Sequence, residues 1–345
     1  MSQFIELPSP HALDIVSDLK VAPTHQLIVT SWDNKVLLYD VSCAKAGKVD
    51  LQAVLESSET PLSLVFTGGS AFVGCLDGTI NQIDQENMKL HPIYTPGPLG
   101  PDSDISNGIN KICRVESDEN ALIASSFNGT FRVLDIRQHQ EVSRTRVGSD
   151  AGVGAARPAK IFTMDSSRDV LTVGLSTNHI ELYDLRNLTK PYERRELGLK
   201  YQIKDLKCLP DNQGFVVSTV DGRVSLECYD LSPETQAAKR FTFKCHRSHN
   251  KIDGVDEVYP VNSLALAQDG TLYTSGGDGA VCVWDCNKRK RIKMYPKFSE
   301  SVAKIALQDD LLAVATSDDD FVRARRLSDP INTRVPSKVF VRVVE

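Results

Sequence analysis

One unit recurs along the whole chain and restricts its fold more than any other feature. A short apolar run leads into a turn on Asp or Asn, followed by Gly or another turn former, and a second short run often ends in an acid. The first copy, 27–40, reads Leu-Ile-Val-Thr-Ser-Trp-Asp-Asn-Lys-Val-Leu-Leu-Tyr-Asp. Later copies centre on Asp77-Gly78, Asn128-Gly129, Asn178-His179, Asp221-Gly222, Asp278-Gly279 and Asp318-Asp319-Asp320. Turn positions 33, 77, 128, 178, 221, 278 and 319 are separated by 44, 51, 50, 43, 57 and 41 residues. A period of about 40–45 residues plus insertions is that of a four-stranded propeller blade. Asp-Gly or Asn-Gly between apolar runs is a hairpin signal, because both central residues of the tightest turn need φ > 0.

Each unit also carries an upstream strand, such as 261–266 or 301–307, and long amphipathic helical patterns are absent. The expectation is an all-β, seven-bladed WD-repeat β-propeller, with residues 1–345 as a single domain. Residues 4–7 and 339–344 both read as strands, and one of them is expected to complete the last blade and remove an open edge. Stretches 94–108 and 148–158, rich in Pro, Gly, Asp, Ser or Ala, are expected to be long surface loops.

Composition narrows the function. With 41% apolar and 25% charged residues, wholesale disorder and fibrous classes are excluded. A net charge of -5 argues against broad contact with a nucleic-acid backbone. The start of the chain has no basic leader, and no apolar run approaches a membrane span. Eight scattered Cys form no CxxC and read as reduced thiols of an intracellular protein.

Catalytic signals are missing. His246 and His249 lie in an expected loop, as solvent-facing or hydrogen-bonded residues, and Cys282 and Cys286 lack a second ligand pair, so no metal or cofactor is expected. No nucleophile elbow, kinase set or phosphate loop is present, and the reading is a protein that is not an enzyme. Trp284 reads as blade core. The basic run 287–293 fits either an import signal or a solvated turn.

A binding surface is more visible. In an antiparallel blade the end of strand b, the start of c, the end of d and the start of the next a reach one face. Lys204, Arg223, Lys244 and Arg247 of blade 5 then converge on one edge of it. Two readings stay open: an anion site, above all for phosphate, or a solvated face neutralised by Asp205, Asp221 and Glu227. Trp32 and Phe127, just before their turns, suggest a peptide-docking strip.

Several stretches together resemble a known family: 198–203, Gly-Leu-Lys-Tyr-Gln-Ile; 220–224, Val-Asp-Gly-Arg-Val; 241–247, Phe-Thr-Phe-Lys-Cys-His-Arg; and 259–263, Tyr-Pro-Val-Asn-Ser. With Thr30-Ser31-Trp32-Asp33-Asn34 and 161–165 they are similar to the WD-repeat mitotic checkpoint family of the budding-uninhibited-by-benzimidazole series, in its fungal form. A sister family, the WD-repeat messenger-RNA export factor of the nuclear pore, shares some of these pieces. The resemblance implies a non-catalytic, nuclear and kinetochore adaptor of the mitotic checkpoint complex, without cofactor, membrane or direct nucleic-acid contact. It implies docking of GLEBS segments from a checkpoint kinase and its non-kinase or pseudokinase relative. It also implies reading of phosphothreonine in Met-Glu-Leu-Thr repeats of the outer-kinetochore scaffold. In the sister family the same face docks a nucleoporin segment. Arg223 and Lys244 match the phosphate-reading pair, and Trp32 matches the docking Trp. Lys204 stands where relatives carry Arg and loses the bidentate fork; Phe127 stands where they carry Trp and loses the indole donor.

Overall fold

The computed structural model describes residues 3–97, 107–148, 159–249, 254–318 and 335–344. The turn expected at 319 and most of the loops expected at 94–108 and 148–158 lie outside the described residues. The strands form seven four-stranded antiparallel sheets, the blades of the expected seven-bladed β-propeller. Blade 1 holds Val16–Val21, Gln26–Ser31, Lys35–Asp40 and Asp50–Glu56 as strands a to d. Blade 5 holds Ile203–Cys208, Gly214–Thr219, Arg223–Cys228 and Phe241–Lys244. Blade 6 holds Val261–Leu266, Leu272–Gly276, Val281–Asp285 and Lys290–Met294.

The chain divides into two compact units. One contains blades 5, 6 and 7 with most of blade 1, and the other contains blades 2, 3 and 4. Inside each unit, consecutive sheets bury their faces together. Val216, Val224 and Leu226 of blade 5 cluster with Val261, Leu264 and Leu272 of blade 6, and Phe131 and Tyr183 meet edge-on between blades 3 and 4 at 5.0 Å. This explains why strands b read as continuous apolar runs rather than alternating ones: Gly214–Thr219 is buried at every position. The outermost strand of blade 6, Lys290–Met294, is exposed at every position. Charge on such an edge opposes unwanted strand pairing.

Both terminal segments enter blade 7, where one was expected. Lys338–Val343 is its third strand, and Ile5–Glu6 pairs with that strand as the fourth, Ile5 opposite Val341. The longest turn-to-turn spacing, between 221 and 278, also has a structural origin. It accommodates a short helix, Pro233–Lys239, capped by Ser232, and a two-stranded ribbon of Arg247–His249 with Asp256–Val258.

The b–c loops differ from the two-residue form expected. In blade 2 the Gly78 N–H donates to the Cys75 carbonyl at 3.1 Å and the Cys75 N–H to the Thr79 carbonyl at 2.9 Å, which makes a three-residue loop. Only its last position has positive φ, filled by Gly78, Gly129, Gly222 and Gly279, and by Asn34 and Asn178 in blades 1 and 4. A type I turn closed by one left-handed residue satisfies the strand twist without two such residues. The first loop position is an exposed corner in blades 1 and 2, and is half-buried or buried in blades 3 to 6.

Gly279 gives a test of this loop. Its φ is +78° and an added Cβ would lie 2.6 Å from the Phe298 carbonyl oxygen, whereas Gly270, at φ +83°, has open space around it. Gly279→Ala is expected to lose more than the about 1–2 kcal/mol of left-handed strain that Gly270→Ala loses. Thermal melting of the two variants side by side reads the difference, and equal shifts would contradict it.

Candidate functional site

The cations expected on blade 5 share one end of its sheet. Arg223 opens strand c and pairs directly with Lys244, the last residue of strand d. Directly opposed residues put their side chains on one face, with Cβ atoms about 4.5–5.5 Å apart. Lys204 lies at the start of strand a beside Asp205, whose N–H donates to the Ser218 hydroxyl near the end of strand b at 3.1 Å. Lys244 and Lys204 are exposed and have no carboxylate partner among the described residues. Two like charges directly opposed are unfavourable in a bare sheet, so an anion between them is stabilised.

Of the three carboxylates that would neutralise this face, only Asp221 does so. Arg223 Nε donates to Asp221 Oδ2 at 2.7 Å. Asp205 is buried and accepts from the Leu264 N–H at 3.0 Å, and Glu227 is buried and takes Arg240 at 2.9 Å. Arg247 does not join the cluster as a free cation. Its Nη2 donates to the Asp221 carbonyl at 2.8 Å and its Nε is buried, so the ribbon uses it to brace the b–c loop.

The expected aromatics part company. Trp32 is 50% exposed at the first loop position of blade 1, its N–H held by the Ile15 carbonyl at 3.0 Å. Phe127 occupies the same position in blade 3, its N–H on the Gly108 carbonyl at 3.2 Å, but is half-buried. Each belongs to a different compact unit.

Of the two readings of His246, the hydrogen-bonded loop residue holds and the solvent-facing one does not. Its side chain is fully buried, with Nδ1 2.8 Å from Asp278 Oδ1 and Nε2 2.9 Å from the Thr274 hydroxyl, to which Trp284 Nε1 also donates at 3.0 Å. His249 ends the ribbon strand Arg247–His249. Trp284 is packed on Phe243 at 4.5 Å, as blade core should be. The network joins the end of blade 5 to strands b and c of blade 6. Burial pushes the Asp278 carboxyl up, but the His246 bond and charge, with Lys297 at 3.4 Å, outweigh it and hold the group below the usual carboxylate range.

The family of WD domain, G-beta repeat proteins matches residues 4–40 and 240–285. The chain is 33% identical to the mitotic checkpoint protein BUB3.1 of Arabidopsis thaliana, covering 98% of this chain and 92% of that protein. It is 35% identical to the spindle assembly checkpoint protein bub3 of Schizosaccharomyces pombe, covering 88% of each. The chain belongs to the Bub3 family. A poly(A)+ RNA export protein of Schizosaccharomyces pombe is more distant, at 27% identity over 96% of this chain and 88% of that protein. Membership of the Bub3 family supports a role in the spindle checkpoint, and with the WD-repeat propeller it suggests a scaffold rather than a catalyst.

In this Bub3-family chain the sequence reading passed over Leu76. It is 41% exposed at the first loop position of blade 2, with its N–H on the Thr60 carbonyl at 2.9 Å, as Trp32 is in blade 1. Its place just before Asp77-Gly78 was the available signal. Asp221 was one of three candidate neutralising acids in the sequence, which did not say that it, rather than Asp205 or Glu227, takes Arg223.

Proposed function

We propose that this protein is a non-catalytic spindle-checkpoint adaptor whose b–c turn ends bind partner segments and read phosphothreonine. The observation that carries the reading is the direct pairing of Arg223 with Lys244, with Lys244 unneutralised among the described residues. A phosphothreonine brings about -1.5 to -2 charge and three acceptor oxygens, enough to engage a guanidinium and an ammonium together. Each charge-assisted contact of this kind is worth roughly 1.5–3 kcal/mol. The ligand is a phosphorylated Met-Glu-Leu-Thr repeat of the kinetochore scaffold, and binding would place the protein at kinetochores in mitosis.

The second part of the reading is docking of GLEBS segments from the checkpoint kinase and its non-kinase or pseudokinase relative. Trp32, half exposed at a loop corner, offers an aromatic anchor, Phe127 a half-buried one, and Lys204 a charge for acidic residues of the segment. Co-purification from mitotic cells with and without phosphatase tests both parts. Scaffold fragments are expected to depart on dephosphorylation while GLEBS partners stay, and Trp32→Ala is expected to lose the GLEBS partners with an unchanged melting temperature. Scaffold retention after phosphatase would count against the phosphate reading. Full GLEBS binding by Trp32→Ala would count against the anchor.

A further inference from the structure

Several b–c loops share a local device. In blade 2, Asp77 Oδ1 accepts from the N–H and the hydroxyl of Thr79 at 2.9 and 2.7 Å. In blade 3, Asn128 Oδ1 accepts from the N–H and the hydroxyl of Thr130 at 3.0 and 2.6 Å. In each, the turn side chain fixes the residue two positions ahead. Blade 5 repeats the spacing with a cation in the held place: Arg223 follows Asp221 by two and gives it Nε at 2.7 Å.

Asp221 is itself held on two further sides. The hydroxyl of the buried Thr219 donates to its Oδ1, and Arg247 donates to its carbonyl at 2.8 Å. The corresponding acid of blade 6, Asp278, is committed to the His246 network instead. So among these loops the turn acid of blade 5 is the one that grips a guanidinium. With Nε occupied, the two Nη groups of Arg223 have no acceptor among the described residues.

We infer that Asp221 is the positioning residue of the anion site, presenting the Nη edge of Arg223 beside Lys244 for a phosphate. This rests on the phosphopeptide reading above. An Arg side chain opposite another cation otherwise swings away from it, because the charges repel and the long stem has many rotamers. Held by Nε, the fork keeps its bidentate edge free at no further cost on binding.

Calorimetric titration of the full chain with phosphorylated and unmodified Met-Glu-Leu-Thr peptides tests this. Wild type sets the ratio of the two affinities. Asp221→Ala is expected to lower that ratio about tenfold through weaker phosphopeptide binding, and Asp221→Asn, which keeps an oxygen for Nε, to hold it within about threefold. A role confined to the turn would move the melting temperature and leave the ratio alone. Should Asp221→Ala fail to fold, Thr219→Val removes the hydroxyl that orients the carboxylate and is expected to shift the ratio the same way. An unchanged ratio, or tighter phosphopeptide binding as for a carboxylate that only competes for Arg223, overturns the inference. A wild type that binds both peptides equally overturns the anion site itself and this role with it.

Discussion

Asp278→Ala is expected to destabilise the fold by about 3–5 kcal/mol, the cost of breaking a buried pair by removing one member. The carboxylate is only 6% exposed and meets a His246 side chain with no exposure, so water cannot replace the lost partner. His246 adopts φ of 48°, which an L-residue tolerates only where surroundings impose it. Its ring also presses on Gly276, where an added Cβ would lie 2.3 Å from Nδ1. Loss of Asp278 therefore releases the d–a link, the Thr274 hydroxyl and the Trp284 indole together. Acid should act in the same direction. The Asp278 carboxyl is held below its unfolded value, so its contribution is complete above about pH 4 and is lost as pH falls through the depressed value. Thermal melting of wild type and Asp278→Ala from pH 7 down to pH 3 checks both points. The wild-type advantage should shrink as the pH drops, and a constant difference across that range would contradict the assignment.

The second large effect concerns binding. Arg223→Ala combined with Lys244→Ala is expected to abolish discrimination between phosphorylated and unmodified Met-Glu-Leu-Thr peptide and to leave the melting temperature nearly unchanged. Arg223 is 40% exposed and Lys244 is exposed, so neither supports the core. Contacts of roughly 1.5–3 kcal/mol each correspond to about 10–150-fold in affinity. Because the two side chains oppose each other across strands c and d, they should grip one phosphate jointly. Their effects should then fail to add: either single variant should lose most of the discrimination. Equal phosphopeptide binding by the double variant and wild type in calorimetry would remove the anion site.

The sequence was informative where information is local. Asp or Asn followed by a left-handed residue marked five of the b–c loops, and strands such as Val261–Leu266 were readable to the residue. The detail of those loops was not, because a two-residue and a three-residue hairpin draw on the same Asp-Gly vocabulary. Strand a also hides a feature with no composition signal. Its register shifts after the first residue in blades 1, 2, 3, 4 and 6, and after the second in blade 7. Hydroxyls near the end of strand b serve the displaced backbone, as Thr30 does for the Asp18 N–H at 3.1 Å and Ser125 for the Lys111 carbonyl at 3.3 Å. The buried Ser and Thr pairs that recur there are visible in the chain, but their purpose depends on a bulge that pairing creates.

What the sequence determined by itself was the repeating blade, because hairpin chemistry and apolar runs are written in neighbouring residues. It also placed Lys204, Arg223 and Lys244 at one end of a sheet, since strand direction alternates whatever the register. Only the tertiary structure decided which charges remain free. Asp205 and Glu227 are turned into the core, Arg247 is spent on a backbone carbonyl, and Asp221 alone reaches Arg223. A side chain's partner is chosen by whichever group lies within about 3 Å of it, and for residues far apart in the chain that distance is set by packing and register rather than by order along the chain.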